Sequence, residues 1–252
     1  LKRYGIRTEL TASPRAGIIR FTFPKSETSR IQIDLARRIG QNSRWLTPSK
    51  QHVEIVDDNT IQGWMYCTSK DGGWGHGGGQ VTYTQHFYAK FSKPIGTFGV
   101  WDKDKVMPGG REYEGTNTGF YIEFSTTEGE QVLLKAGISY VSTEGAEANL
   151  KHDIPDWSFD GVKAKARALW ADALKGVDVK GGTDVQKEVF ATALYHAFID
   201  PRSVSDVNGE YIGADNEKHK AKGFTYRSIF IAWEVFRSQF PLLTIIRPDV
   251  VN

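Results

Sequence analysis

The feature that most constrains the fold is a long apolar segment near the C-terminal end, Gly223 to Ile246, with the sequence GFTYRSIFIAWEVFRSQFPLLTII. Its central part, from Ser228 to Phe240, has the length of a helix and carries apolar residues at nearly every position around it. A helix without a clear solvent-facing side is buried on several sides at once. The segment therefore predicts a helix in the interior of a domain rather than on its surface.

Two charged residues, Glu234 and Arg237, lie within this predicted helix. Because they are three positions apart, they share one face of it. Burying a charge costs free energy unless the charge is paired or used. Two interpretations stay open from the spacing alone, since structural ion pairs resemble functional sites: an ion pair at a domain contact, and polar groups that line a site.

Composition and charge exclude several classes of function. The 252 residues allow one large domain or two smaller ones. Lys and Arg number 32 against 30 Asp and Glu, for a net charge of +2, which disfavours nucleic-acid binding because that requires a basic surface. A single cysteine, Cys67, excludes an intrachain disulfide and a cysteine metal cluster. No apolar run approaches the roughly 20 residues of a membrane-spanning helix.

The N-terminal part of the chain has the pattern of a β-sandwich. Val81 to Phe91 alternates between apolar and polar residues, which is typical of a half-buried strand. Asp57, Asp58 and Asn59 separate two strand-like runs and predict a hairpin turn. Several further short runs of this kind, up to about residue 150, predict two packed antiparallel sheets.

Beyond residue 153 the pattern changes to helices. One helix is predicted from about Asp156 to Lys175. Thr183 and Gln186 form a capping-box pattern that opens a second helix, which extends through Phe198. The long connection from Ile199 to Gly223 is of the kind that often carries function. Strands followed by helices predict an α+β or multidomain chain.

Two motifs resemble ligand loops without completing them. The glycine-rich run DGGWGHGGG, residues 71–79, is followed by a strand and not by Lys-Ser/Thr and a helix, so it is not a phosphate loop. We favour a surface loop, with Trp74 stacking on a sugar as the alternative, since loops on rigid sheets often carry function. Asp206 to Gly209 lacks the remaining ligands of a calcium loop, and Asn208-Gly209 predicts a type I′ turn.

At the level of whole segments, the chain resembles glycoside hydrolase family 92, the calcium-dependent exo-acting α-mannosidases. The apolar segment from Gly223 is similar to the start of the family's catalytic domain. TALYHAFIDPRSVSDVNGEYIGAD, Thr192 to Asp215, is similar to the stretch before it, and ELTASPRAGIIRFTFP, Glu9 to Pro24, to a strand pair of the N-terminal β-domain. The resemblance covers nearly the whole chain in order. We expect the chain to be a fragment of a longer protein.

The resemblance implies an architecture and an activity. The implied fold is a supersandwich-like β-sandwich over residues 1–152, a helical linker over 153–182 and the first helices of an (α/α)6 barrel over 183–252. The implied activity is inverting, calcium-dependent hydrolysis of terminal α-linked mannose, most often α-1,2-linked, from mannose-terminated glycans. The remainder of the same helical barrel is the expected protein partner. Family members are usually exported, to the periplasm or outside the cell.

The resemblance also implies which residues contact the substrate. Trp233 and Glu234 occupy the positions of a family Trp-Asp pair that is followed by Arg237, and the acidic residue contacts hydroxyls of the terminal mannose. Trp74 is the candidate aromatic residue from the β-domain. The family's catalytic acid, its base and its calcium ligands come from later parts of the barrel, beyond Asn252. No catalytic or metal-binding residue is therefore assigned within this chain.

Two alternatives remain open from the residues. The first is a sugar-binding or structural β-sandwich module without catalytic activity, whose binding would depend on exposed aromatic residues such as Trp74. The apolar helix argues against it, because such a helix requires partners that a simple module lacks. The second is a different sandwich-plus-barrel carbohydrate enzyme, such as a disaccharide phosphorylase, which phosphate dependence would distinguish.

Overall fold

The structure is a computed structural model that describes residues 1–36, 48–67, 82–228 and 235–251. Most of its N-terminal half is antiparallel β-structure. The strands are β1 (Arg7–Ala12), β2 (Ala16–Phe23), β3 (Ser26–Asp34), β4 (Pro48–Ile55), β5 (Thr60–Cys67), β6 (Tyr83–Phe91), β7 (Thr97–Asp102), β8 (Lys105–Pro108), β9 (Glu112–Gly115), β10 (Thr118–Thr126) and β11 (Glu130–Ser139).

These strands form two sheets. A seven-stranded sheet has the order β1-β2-β11-β6-β5-β4-β9, and a four-stranded sheet has the order β3-β10-β7-β8. The predicted hairpin is confirmed, since β4 and β5 pair antiparallel across Asp57–Asn59. The alternation predicted in β6 is also confirmed, because Phe87, Ala89 and Phe91 are buried in the core.

The sandwich core lies between the two sheets and is continuous. Its fully buried side chains come from both sheets and are large and apolar, which is how two amphipathic sheets remove their inner faces from water. The largest are Phe23, Phe91, Phe120, Ile61, Ile122, Val53 and Val100.

Residues 143–153, which the sequence predicts as β-structure, form a helix that covers the outer face of the seven-stranded sheet. Helix α1 (Thr143–Asp153) packs against β11, β6, β5 and β2. It begins at Ser142, whose side chain accepts a hydrogen bond from the Gly145 backbone N–H at 3.0 Å. The prediction of β-structure to about residue 150 is therefore wrong for this stretch, where an N-cap serine ends the strand region.

The two helices predicted next are confirmed. Helix α2 (Phe159–Leu174) begins after the N-cap Ser158, and helix α3 (Asp184–Ala197) begins with a complete Thr183/Gln186 capping box. Helix α2 packs against β1 and β2 through a second apolar cluster. That cluster consists of Ala16, Ile18, Leu150, Ile154, Phe159 and Val162. It joins α1 and α2 to the sheet.

A small hairpin occupies the long connection after α3. Strands β12 (Glu210–Ile212) and β13 (Lys218–Lys220) pair antiparallel. The predicted type I′ turn at Asn208-Gly209 is wrong, since Asn208 has an ordinary negative φ and only Gly209 is left-handed, with φ 85°. The turn runs instead from Asp206 to Gly209 and is closed by a 2.9 Å bond from the Gly209 N–H to the Asp206 carbonyl.

The apolar segment Gly223 to Ile246 is not one continuous helix. Phe236 to Ser238 form a turn, and helix α4 runs from Gln239 to Ile246, followed by the short helix α5 (Pro248–Val251). Pro241 accounts for the break, because proline lacks the N–H that an uninterrupted helix would donate to the Arg237 carbonyl, and its ring would clash there. Proline is tolerated in a helix's first turn, which is its position in α4.

The predicted fold class is confirmed: a β-sandwich is followed by helices, and the described helices make up part of a helical barrel. Within the described ranges, no helix combines the length and the apolar composition needed to cross a membrane.

Candidate functional site

Three of the four predicted substrate-binding residues, Trp74, Trp233 and Glu234, lie outside the described residues. The fourth, Arg237, lies in the turn before α4 and not in a helix. Its side chain is exposed, and its guanidinium carbon is 5.3 Å from the ring centroid of Phe236, which is itself 55% exposed. Val235 directly before this turn is 7% exposed, so burial within this part of the segment is uneven in the described chain.

The segment that contains Trp74 leaves the sheet at Cys67 and returns at Tyr83, two residues that face each other across β5 and β6. The Tyr83 ring meets the Tyr140 ring edge-on at 6.0 Å between centroids. Burial raises the pKa of the Tyr83 hydroxyl and of the Cys67 thiol, so both side chains are uncharged at neutral pH. Cys67, Tyr83 and Tyr140 therefore form an uncharged, largely aromatic cluster at this end of β5 and β6.

His86 lies three residues further along β6 than Tyr83 and therefore points to the opposite face of the sheet. Its Nδ1 is 3.3 Å from the Thr143 hydroxyl at the start of α1. Burial lowers the pKa of His86, which favours the neutral imidazole at neutral pH. This histidine connects the sheet to α1 and does not supply a positive charge.

Asp206 holds the connection after α3 against the same sheet end. Its carboxylate accepts hydrogen bonds from the Ser139 hydroxyl and the Asn149 side-chain amide, each at 2.7 Å. Asn149 in turn accepts from the Val207 N–H at 2.8 Å. Asp206 is 4% exposed, and burial raises its pKa while these two bonds partly oppose the shift.

A tight contact makes this arrangement dependent on Gly145 in the first turn of α1. A Cβ at that position would lie 2.3 Å from the Asp206 carboxylate and 2.8 Å from the Ser139 hydroxyl. The carboxylate is enclosed by protein groups, so its geometry suits an anchor between β11, α1 and the later chain. It does not suit a general acid, which must reach the substrate.

Arg15 adds a second link between the sandwich and the same connection. Its Nε donates to the Ser205 carbonyl at 3.0 Å. Its guanidinium also pairs with Asp153 at the end of α1, at 3.7 Å. Asp153 accepts from the Ser13 hydroxyl and from the Arg15 backbone N–H, at 3.0 and 2.8 Å. The β1–β2 turn, α1 and the connection are thereby fastened together.

A polar cavity of about 390 Å³ lies beside the chain that enters the undescribed segment 229–234. Arg227 and Asp249 line it together with the backbone around Gly223. Burial lowers the pKa of Arg227, and a two-bond pair with Arg247, at 2.9 and 2.7 Å, lowers the pKa of Asp249. Both groups keep their charges at neutral pH, so the cavity offers a fixed donor and a fixed acceptor to hydroxyl groups.

Metal-binding side chains are not clustered in the part of the chain that the structure describes. Among residues 1–36, 48–67, 82–228 and 235–251, no three or more His, Cys, Asp or Glu side chains lie together as a metal ion requires. Within these ranges, no cluster of side chains therefore fits a calcium ion.

Sequence reasoning missed Asp206, Asn149 and Arg15, which join the sandwich to the later chain. The signal for Asp206 was present, since it begins the four-residue stretch that resembles a calcium loop. The partners of Asp206 are 57 and 67 residues away in sequence, at Asn149 and Ser139. No local pattern reveals contacts at that separation.

Comparison with known proteins gives the same architecture over the whole chain. Residues 1–139 match the glycosyl hydrolase family 92 N-terminal domain, and residues 145–252 match the family 92 catalytic domain. A comparison of the sequence with curated proteins found no match.

Solved structures of the same fold include a family GH92 α-mannosidase from Bacteroides thetaiotaomicron, with 30% identity and a TM-score of 0.88. The two structures superpose over 99% of this chain and 32% of the mannosidase chain. The same enzyme in complex with mannoimidazole has 30% identity and a TM-score of 0.87, over 99% of this chain and 32% of its own. An inverting family GH92 mannosidase of that organism has 23% identity and a TM-score of 0.82. That match covers 98% of this chain and 31% of the mannosidase chain.

The chain thus spans about a third of the length of the solved structures it matches. Because the two family models match it consecutively and together include nearly every residue, this chain belongs to glycosyl hydrolase family 92.

Proposed function

We propose that the protein containing this chain releases terminal α-linked mannose from glycans. The observation that carries the proposal is the consecutive match to both the N-terminal and the catalytic domain of family 92. A solved α-mannosidase at 30% identity, also determined with mannoimidazole, supports mannose as the sugar. We further propose that α-1,2 linkages are preferred, that calcium is required and that the protein is exported.

The proposed reaction is an inverting hydrolysis. In such a reaction one carboxylic acid protonates the departing oxygen and a second carboxylate activates water, across a gap of roughly 6.5–9.5 Å. Neither group is assigned to this chain. The buried carboxylate of Asp206 accepts hydrogen bonds from Ser139 and Asn149, which supports a structural role for it and not that of the acid or the base.

This chain would contribute substrate binding. We propose that Glu234 accepts hydrogen bonds from two hydroxyls of the terminal mannose, with Trp233 and Arg237 beside it and Trp74 stacking on the ring. Glu234 is one methylene longer than the aspartate expected there, and we propose that the longer side chain reaches the same hydroxyls. Arg237 is exposed in the described chain and therefore accessible to a ligand.

The experiment uses the whole protein and a set of α-linked mannobioses that differ in linkage. Mannose release from the α-1,2 compound, lost with a chelator and restored by added calcium, is the expected result. Proton NMR of the first product should give the β-anomer, as inversion requires. Release that is absent for every linkage contradicts the proposed activity, and chelator-insensitive release contradicts only the proposed calcium requirement.

Loss of a substrate contact should be visible in kinetics. Glu234→Gln keeps the length of the side chain but removes its charge, and we expect kcat/KM to fall by about tenfold to a hundredfold, the effect of about 1.5–3 kcal/mol for a charged hydrogen bond. An unchanged kcat/KM would remove Glu234 from the proposed site.

A further inference from the structure

The outer face of the four-stranded sheet carries two aromatic rings set into gaps left by glycines. Trp101 on β7 is paired with Gly119 on β10, and Tyr121 on β10 with Gly99 on β7. A Cβ on Gly119 would lie 2.1 Å from the Trp101 ring, and one on Gly99 would lie 2.6 Å from the Tyr121 hydroxyl. Each ring therefore lies low over the neighbouring strand, and this is possible because both positions are glycine.

Polar side chains around these rings are held in place before any ligand arrives. The Arg30 guanidinium carbon lies 4.9 Å from the centroid of the Tyr121 ring. Its Nε and Nη2 donate to one Glu123 oxygen at 2.9 and 2.6 Å, and the Thr97 hydroxyl donates to the other at 2.7 Å. A group fixed by its neighbours loses less conformational entropy on binding.

The two rings and Arg30 border a cavity of about 290 Å³. Trp101, Tyr121 and Arg30 line it, and its remaining lining residues are Gln32, Lys103, Asp104 and Val106. Lys103 and Asp104 form the tip of the β7–β8 hairpin, where Lys103 has a left-handed φ of 53°.

The charges of this cavity favour a neutral ligand. Arg30 is paired with Glu123, and Lys103 is adjacent to Asp104, so positive and negative groups balance. An anion site would present an excess of donors and positive charge. A neutral ligand with an apolar face and hydroxyls at its edge matches an aromatic surface bordered by an amide and paired charges. A pyranose ring has that chemistry.

Among the described residues, no helix packs over the face of the sandwich that carries this cavity. Helices α1 and α2 pack against strands of the other sheet, so the cavity lies on the opposite side of the sandwich from them. Trp101 and Tyr121 are both partly exposed, so their outward surfaces remain accessible.

We propose that this cavity binds a pyranose ring of a mannose-rich glycan, with Trp101 as the stacking surface and Gln32, Arg30 and the Lys103–Asp104 tip contacting its hydroxyls. The proposal rests on the proposed function for the identity of the sugar. Binding here would hold a branched or polymeric substrate to the protein and raise its effective concentration.

The test measures retention of the whole protein in native gels that contain soluble α-mannan, with a β-glucan gel as the comparison polymer. Trp101→Ala should weaken α-mannan affinity about tenfold, the loss of one stacked ring. Gln32→Ala, at an exposed position, should weaken it about threefold through a lost hydrogen bond. Trp157→Ala, at an exposed tryptophan on another part of the chain, serves as the matched control and should leave affinity unchanged.

Wild-type affinity in both the Trp101→Ala and Gln32→Ala proteins would overturn the proposal, as would an equal loss in Trp157→Ala. An equal loss on the β-glucan gel would overturn the assignment to mannose-rich glycans. If Trp101→Ala does not fold, Gln32→Ala decides alone. Mannose release from an α-linked mannobiose, measured in parallel, should stay within about twofold of wild type, since the disaccharide needs no second contact. If wild type releases no mannose, the proposed function fails while the gel comparison still tests the cavity.

Discussion

The sandwich and the helical part of this chain differ in how much apolar surface they bury. In the sandwich, Phe23, Phe91 and Phe120 are almost completely buried between two sheets. In helix α3, by contrast, Leu194 is buried while Val185 and Val189 are strongly exposed, Val189 at 64%. The sandwich closes its own core, whereas α3 presents an apolar face that further helices of a barrel would cover, in agreement with solved relatives about three times as long.

The first test of this contrast removes a side chain from the sandwich core. Phe120 is 1% exposed, and Phe120→Ala should lower the free energy of unfolding of this chain by about 3–5 kcal/mol, since a cavity replaces a buried ring. Denaturant unfolding followed by tryptophan fluorescence measures it. Leu10→Ala, on an exposed side chain of β1, should change stability by less than about 0.5 kcal/mol. Equal losses at both positions would mean that the core is not where the structure has it.

The second test introduces a charge on the exposed face of α3. Val189→Asp should cost less than about 0.5 kcal/mol in this chain alone, where the side chain meets water. In the whole protein it should cost at least about 2 kcal/mol, because burying an unpaired charge is expensive. Thermal unfolding of both proteins gives the comparison. A small effect in both would contradict the expectation that barrel helices cover this face.

The third test loosens the connection between the two regions. Asn149→Ala removes the acceptor of the Val207 N–H and a donor to Asp206, which should make hydrogen exchange at Val207 about fivefold to a hundredfold faster, the effect of about 1–3 kcal/mol. The Gly96 amide is the internal control. It donates to the Glu123 carbonyl of the four-stranded sheet, and its exchange rate should not change. Unchanged exchange at Val207 would mean that Asn149 does not anchor the connection.

The smallest expected effect is the pH dependence of the same anchor. Burial raises the pKa of Asp206, so the folded state binds more protons than the unfolded state above the ordinary value of about 3.9. The contribution of Asp206 to stability is therefore fully present below that value and is lost as pH rises through the raised pKa. Val207 exchange, corrected for its intrinsic rate, should accelerate across this range in wild type and stay flatter in Asp206→Asn. The opposite slope would contradict the raised pKa.

The sequence predicted the elements whose cause is local. The hairpin at Asp57–Asn59, the alternation in β6 and the Thr183/Gln186 capping box each depend on neighbouring residues, and the structure confirms all three. Helix α1 was missed although Ser142 is a local N-cap signal, because Gly145 and Asn149 interrupt its apolar pattern. Both residues are needed there by Asp206.

The apolar segment illustrates the opposite error. Its apolar composition predicts burial. Composition alone does not show where Pro241 breaks the helix, or which surface would cover Phe236. The anchor around Asp206 was equally out of reach, since Ser139, Asn149 and Asp206 meet only after the sheet and α1 have packed. The aromatic rings over Gly99 and Gly119 depend on strand register, which no single strand pattern fixes.

The most direct test of the account compares mannose release by the whole protein and by this chain alone, on α-1,2-mannobiose under identical conditions with calcium present. We predict release by the whole protein and none by the chain alone, because we propose that the catalytic acid and base lie outside it. The chain alone should still fold as a sandwich, since its two sheets bury a continuous core. Circular dichroism of the chain confirms that it is folded during the assay. Release by the chain alone, or no release by the whole protein, would contradict the account.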